Sequence, residues 1–452
     1  MVKELLVPEI RELLEQNDLA TITTVVAEMH PAAAGELLGG LNPDEIARIL
    51  PTLPLQFQAD VFSHFEMPMQ VALVEGQGRG QVARLLEEMP PDDRADLIRA
   101  LDEQVQRELM PLLAQAERAD IRRLTSYPED SVGAVMTTDY ATVPEDITAG
   151  EALERLRHAA PDAETIYYVY VTDAERHLKG VFSLKTLILA KPERKISSLM
   201  ISDVQSVRVT DDRETVAQEV AKYDWLAMPV VDDVGRLVGL VTVDDVIDVI
   251  EDEADEDIYH LGAAGKPLDG YFQVGALRMA WQRLPWLLLL VLVGFVTASV
   301  VKAFGRLGDE LALTVVAFNT MLLGSGGNAS TQTTTVIVRG LATGELTRKD
   351  AGRVFRKELA VALIAGVALA VLAATRVIIS DHNWALALTV ALAMIATIII
   401  AKSLGGMLTL VMDRIGLDPA LMSAPLITTI LDVVTLTVYL LLAMAIMLHV
   451  GG

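Results

Sequence analysis

Residues 426–450 form the last long apolar stretch of the chain, and Asp432 is the one Asp, Glu, Lys or Arg within it. At about 1.5 Å per residue, such a stretch is long enough to cross a hydrocarbon core about 30 Å thick. A carboxylate inside a membrane helix costs about 2.5–3.5 kcal/mol on insertion scales, so something must offset it. A cation attracted to the carboxylate would do so. So would a basic partner, or an aspartate near the helix start that reaches the interface. A second polar constellation lies upstream: Asn319, then Gly324-Ser325-Gly326-Gly327-Asn328-Ala329-Ser330-Thr331-Gln332-Thr333-Thr334-Thr335. Each glycine weakens a helix by about 1 kcal/mol relative to Ala, which predicts an interrupted span. Broken backbone at membrane depth is tolerated where it is buried in protein or lines a cavity. Freed carbonyls with Asn328 and the hydroxyls then suit a hydrated ion. The alternative is close helix packing through small residues.

The densest charge run is 244–257, DDVIDVIEDEADED, with nine acidic residues: Asp244, Asp245, Asp248, Glu251, Asp252, Glu253, Asp255, Glu256 and Asp257. Like charges at i,i+4 (Asp244, Asp248, Asp252, Glu256) disfavour a helix by a few tenths of a kcal/mol per pair. Divalent cations relieve that repulsion, and Mg²⁺ and Ca²⁺ take oxygen ligands. A solvated helix face is the competing reading. Asp92 and Asp96, in Pro90-Pro91-Asp92-Asp93-Arg94-Ala95-Asp96, share one helical face. There the competing reading is an N-cap and a solvated first turn.

The elements that position these residues follow from composition. The 452-residue chain has no cysteine, which excludes disulfides and thiolate metal sites. A mean hydropathy of +0.39 beside 22% charged residues indicates a soluble part joined to a membrane part. Residues 1–260 carry a net charge of −28 and residues 261–452 a net of +4. The acidic half does not suit nucleic acid, whose phosphates need basic contacts; it suits metal cations or solubility. The N-terminus lacks a signal-peptide pattern.

Residues 1–130 read as an all-α N-domain. Short amphipathic runs are separated by Pro31, Pro43, Pro51, Pro54, Pro68, Pro90 and Pro91, which sit near helix starts and suggest a stack of helical hairpins. Residues 131–243 contain an internal repeat: Met136 and Met200 open the two copies, and Gly180 and Gly239 sit in corresponding strands. Each copy reads as helix (151–157; 215–223), strand, turn, strand, helix. This resembles a tandem pair of CBS domains, an α/β regulatory module that often binds adenine nucleotides. Their usual ribose contact, Ser/Thr followed three residues later by Asp, is kept in Thr242 and Asp245. The first copy departs from it with Ser183 and Thr186. ATP bound through Tyr168 and Thr242, or a structural dimerisation role, are the two readings. Residues 244–270 form an acidic connecting helix.

Residues 271–452 read as a membrane bundle of five helices, at about 284–301, 311–338, 359–379, 384–412 and 426–450. The fourth is too long, and too Gly-rich near Lys402-Ser403-Leu404-Gly405-Gly406, to be a plain helix. Arg339, Arg348, Lys349, Arg353, Arg356 and Lys357 lie between the second and third spans. They place that loop and the soluble half in the cytoplasm and, with five spans, the C-terminus outside.

The order of these parts resembles the MgtE family of bacterial magnesium channels over essentially the whole length. The carrying residues are Gly326-Gly327-Asn328 with Gln332, Asp418-Pro419-Ala420, and Pro425 with Leu431-Asp432-Val433, supported by PDAETIYYVYV and LVTVDDVIDV. Ser330 departs from the Gly usual in the family. The resemblance implies a homodimer in the bacterial plasma membrane, with a pore on the dimer axis lined mainly by spans two and five. Asp432 is then the selectivity carboxylate, with Asn328 beside it, and the acidic helix is a plug. Cytosolic Mg²⁺ would close the pore through Asp92 and Asp96 of the N-domain, Asp224 of the CBS pair, Asp245, Asp248, Glu253, Glu256 and Asp257 in or near the plug, and Asp418 before span five. Three rivals remain at this stage. A divalent-cation exchanger or exporter needs more intramembrane charge, since Lys402 and Arg376 lie at or near span ends. A membrane enzyme needs a catalytic motif, and no HExxH or Walker A pattern is present. A non-transporting Mg²⁺ sensor leaves the polar second span without a use.

Overall fold

The computed structural model describes residues 2–159, 163–264, 274–304, 309–343, 345–415, 418 and 424–450. The Asp418-Pro419-Ala420 motif is thus described at Asp418 alone. Pro161-Asp162 and residues 265–270 of the expected connecting segment fall outside the described residues. The chain forms two compact units, Met1–Glu251 and Asp252–Gly452.

In the first unit, ten short helices make the N-domain: α1 (Val2–Glu15), α2 (Leu19–Ala27), α3 (Pro31–Leu38), α4 (Pro43–Ile49), α5 (Leu55–Ser63), α6 (Met67–Gly76), α7 (Arg79–Glu88), α8 (Pro91–Ala100), α9 (Glu103–Leu109) and α10 (Gln115–Leu124). Proline at the first helical turn needs no amide partner there and starts α3, α4, α6 and α8. Asn42 and Glu45 close a reciprocal capping box on α4. Each helix packs on the one two places along, α3 on α5, α5 on α7, α6 on α8. The result is a continuous stack around Leu37, Leu38, Ile46, Phe62, Leu73 and Leu86.

The repeat follows. The first copy is β1 (Tyr140–Val143), α11 (Ala149–Ala159), β2 (Thr165–Thr172), β3 (Leu178–Ser183) and α12 (Leu184–Leu189). The second is β4 (Val207–Arg208), α13 (Arg213–Tyr223), β5 (Ala227–Val231), β6 (Leu237–Thr242) and α14 (Val243–Leu261). In both sheets the first strand pairs parallel and the third antiparallel to the middle one. The repeated Met and Gly have a reciprocal use. A Cβ at Gly239 would lie 2.6 Å from Met136 Sδ, and one at Gly180 would lie 2.7 Å from Met200 Sδ. Each glycine therefore makes room for the methionine that opens the other copy. Ala95 and Leu124 of the N-domain join the core of the second copy with Met136 and Val241. Arg123 Nη2 donates to the Val238 carbonyl at 2.9 Å.

The second unit contains α15 (Ala276–Phe304), α16 (Asp309–Ala342), α17 (Ala351–Asp381), α18 (Trp384–Ile415) and α19 (Ala424–Val450). Helices spanning Ala276–Ala303, Ala351–Asp381, Trp384–Met412 and Pro425–Ile446 are long and apolar enough to cross a membrane. Two expectations are corrected. α16 is one continuous helix through the glycine cluster, and α18 is one continuous helix through Gly405-Gly406. In both, the glycines are used for close approach. A Cβ at Gly326 would lie 2.8 Å from Thr397 Cγ2, one at Gly327 2.8 Å from Thr428 Cγ2, and one at Gly405 2.7 Å from Ser330 Oγ. The small residues let α16 seat against α18 and α19, a gain that outweighs their low helix propensity.

Candidate cation sites

Asp92, on α8, is buried, and its Oδ1 has no hydrogen-bond partner among the described residues. Pro91 at the helix start places it in the first turn, so the α8 fold aims it away from solvent. Burial, with Asp245, Asp93 and Glu164 nearby, raises its carboxyl well above the usual range. Asp245, at the start of α14, is raised to about 7 by burial and by Asp244, Asp93 and Glu164, against the lowering effect of the Thr242 hydroxyl. Glu164, which enters β2, is raised to about 7 by burial and by Asp244, Asp139 and Asp93. These carboxylates converge from α8, α14 and the β2 entrance within one compact unit. Such crowding favours protonation or a multivalent counter-ion.

Of the acidic residues expected to act in closure, Asp92 and Asp245 are brought together. Asp93 and Glu164 join it, and neither was legible: each stands in an ordinary acidic surface context until the tertiary fold sets it against α14. Asp96 is turned toward Arg99, whose Nη1 donates to Asp96 Oδ1 at 2.8 Å. Burial still raises Asp96 to about 6. Asp224 is exposed at the C-terminus of α13 with φ of 55°, the left-handed cap that Asp tolerates. Asp248 is exposed on α14. Thr242 is buried, and its hydroxyl donates to Asp245. Tyr168 packs with Tyr170, Leu237 and Leu240.

A second acidic group forms at the far end of α14, within the second unit. His260 Nδ1 lies 2.8 Å from Asp418 Oδ2, and its Nε2 lies 3.7 Å from Glu256 Oε1. Asp257 is raised to about 6 by burial, Asp418, Glu253 and Glu256, with His260 opposing. Sequence reasoning passed over His260; its place in the last turn of the most acidic helix was the available signal. Neither site gathers three ligand atoms: among the described residues only Asp173, Glu175 and His177 hold three such atoms within 4.8 Å of one another. That trio is a turn already knit together, with Asp173 accepting the His177 amide and Lys179 Nζ. Spaced carboxylates suit Mg²⁺, which keeps several of its waters and binds through one or two carboxylates.

In the helical bundle, α16 has two faces. Leu322, Gly326, Ala329, Ser330, Thr333 and Ile337 are buried, whereas Gly324, Asn328, Gln332, Thr335 and Arg339 are exposed at a spacing of three to four. The exposed face is thus a mostly polar stripe, interrupted by Val336, along a helix whose neighbours are apolar. Asp432, half-buried, stands on α19 between Thr428 and Thr435. Those two threonines face Gly327 and Gly326 of α16. The crossing therefore sets the Asp432 turn beside the Asn328 turn.

Family comparisons complete the picture. A divalent cation transporter family, MgtE, matches residues 319–442, the MgtE intracellular N domain matches 29–130, and the CBS domain matches 132–193 and 196–252. The chain is 39% identical to the magnesium transporter MgtE of Thermus thermophilus over 446 residues, 98% of each chain. It is 33% identical to that of Bacillus subtilis over 436 residues, 96% of this chain and 95% of the relative. The crystal structure of the cytosolic domain of the Mg²⁺ channel MgtE in complex with ATP is 39% identical, with a TM-score of 0.52, covering 54% of this chain and 99% of that one. The soluble part of a magnesium transporter is 34% identical at a TM-score of 0.52, covering 56% and 99%.

Proposed function

The chain belongs to the MgtE family and transports Mg²⁺ as a multi-pass protein of the plasma membrane, and from that premise we propose how its own residues pass the ion and sense it. The family is one of transporters, not of enzymes. α15–α19 are five spans, with the N-domain and CBS pair cytoplasmic and the C-terminus outside. The α16 stripe and Asp432 line the passage. A polar stripe on a membrane helix is costly against lipid and is tolerated against water or protein. The stripe is exposed on the single protomer, which supports a homodimer whose second copy faces it across an axial pore. Asp432 supplies the charge that attracts a divalent cation, and Asn328 and Gln332 supply neutral oxygens for its water shell.

Closure rests on the cytoplasmic carboxylates. Asp92, Asp93, Asp245 and Glu164 repel one another when ionised, and a bound divalent cation neutralises that repulsion. The α8–α14 packing is then stabilised when cytosolic Mg²⁺ is high and loosened when it is low. Glu253, Glu256 and Asp257 act with Asp418 in the same way, α14 serving as the plug. Asp96, Asp224 and Asp248 contribute surface charge to the same response. Asp245 also keeps the Thr-x-x-Asp contact with Thr242, and with Tyr168 this makes ATP a candidate ligand of the CBS pair.

The observation that carries the passage is the placement of Asp432 beside the Asn328 turn through the Gly326 and Gly327 crossing. The test is Mg²⁺ influx into indicator-loaded proteoliposomes. Asp432→Ala is expected to remove influx while leaving the protein folded. Equal influx from the variant would move the selective step away from α19.

A further inference from the structure

Among the described residues, the bundle contains one buried ionic group that neither conduction nor closure uses. Lys402 of α18 is 7% exposed. Its Nζ donates to Thr333 Oγ1 at 2.9 Å and to Glu358 Oε2 at 3.1 Å. The Thr333 hydroxyl in turn donates to Glu358 Oε2 at 2.9 Å. The triangle is closed and joins three helices: Thr333 from α16, Glu358 from α17 and Lys402 from α18. Sequence reading placed Lys402 near a span end and began the third span after Glu358. In the structure α17 starts at Ala351, so Glu358 lies inside the helix.

A buried ion pair is a poor source of net stability, because desolvation offsets the attraction; its best-attested use is to specify register. Register needs specifying here. α16 meets α18 through small residues: Gly405 against Ser330 and Thr334, Gly406 against Thr333 and Ile337. A smooth crossing of this kind permits slip or rotation at small cost. The triad does not, since any rotation that withdraws Thr333 separates it from both charges.

We propose that Lys402, Glu358 and Thr333 are positioning residues that set the rotation of α16, so that Asn328, Gln332 and Thr335 face the ion passage. This rests on the reading of the exposed α16 stripe as the passage wall. Thr333 directly follows Gln332 and lies round the helix on the buried side. A rotation by one residue, about 100°, would carry the stripe out of the passage.

The chain has no cysteine, so single cysteines report accessibility directly. Thr331→Cys, Gln332→Cys, Thr334→Cys and Thr335→Cys are introduced one at a time into the full chain in liposomes. Each is reacted with a membrane-impermeant methanethiosulfonate. In the native background Gln332→Cys and Thr335→Cys are expected to react fastest. Adding Lys402→Met is expected to slow them and to speed Thr331→Cys or Thr334→Cys, which are half-buried and buried in the native packing, each by about tenfold, the equivalent of about 1.4 kcal/mol. A lone buried Glu358 carboxylate can prevent assembly, so the neutral pair Glu358→Gln with Lys402→Met is measured alongside and is expected to show the same displacement. An unchanged labelling pattern in an assembled neutral pair overturns the positioning role. Slow labelling at both stripe positions in the native background overturns the passage-wall reading instead, and the two failures are thereby distinguished.

Discussion

In the proposed function, the acidic cluster around Asp92 and Asp245 and the passage around Asp432 use carboxylates for the same ion, and they are built in opposite ways. The cluster crowds several acids where burial and mutual repulsion lift them to about 7 at Asp245 and Glu164. The passage has one acid per chain among amides and hydroxyls. Crowded charge makes a site whose occupancy changes the packing of the elements around it. Sparse charge makes a site that an ion can enter and leave, as conduction requires. A sensor and a pathway for Mg²⁺ thus differ in charge density more than in ligand chemistry.

The sharpest way to break this comparison is to remove the single passage acid. Asp432→Ala is expected to lower influx by about 100-fold, near 2.7 kcal/mol, with closure not measurable because little passes. Next comes the cluster. Asp92→Asn with Asp245→Asn is expected to conduct fully and to raise the half-closing cytosolic Mg²⁺ by about tenfold, within the 1–3 kcal/mol usual for coupling between sites. Asp418→Asn acts on the second acidic group, where His260 already supplies a partner at 2.8 Å, and is expected to shift closure by about threefold. Asp224→Asn keeps a residue that tolerates the left-handed cap, and its effect is expected to stay within about twofold, as for exposed substitutions.

Acidity sharpens the same contrast. The cluster carboxyls have raised values in the folded protein, so their contribution to stability is present at low pH and is lost as pH rises through about 7. Without divalent ions, thermal unfolding of the purified chain is expected to begin at lower temperature at about pH 8 than at about pH 5. The gain in Tm on adding Mg²⁺ is expected to be larger at the higher pH. A Mg²⁺ gain independent of pH would detach the ion from these carboxylates.

Much of the architecture was legible because it rests on local pattern. Apolar runs marked α15 and α17–α19, prolines marked the N-domain helix starts, and the Met and Gly repeat marked the CBS pair. The glycine clusters misled, since helix propensity predicted breaks where tertiary packing uses the missing side chains to bring α16 onto Thr397, Thr428 and Ser330. Among site residues, Asp92 and Asp245 stood out by their acidic surroundings, while their role in closure, and Asp418, came from the family resemblance. Asp93, Glu164, His260 and the Thr333–Glu358–Lys402 triad did not, because their partners lie far away in sequence and only the fold brings them together.

The most direct test of the account is current through inside-out membrane patches as Mg²⁺ on the cytosolic face is raised, comparing the native chain with Asp92→Asn, Asp245→Asn. The account predicts the same current at low Mg²⁺ and a variant that stays open where the native channel has closed. Coincident closure curves would contradict it, and would remove the α8–α14 cluster from the sensing of the ion.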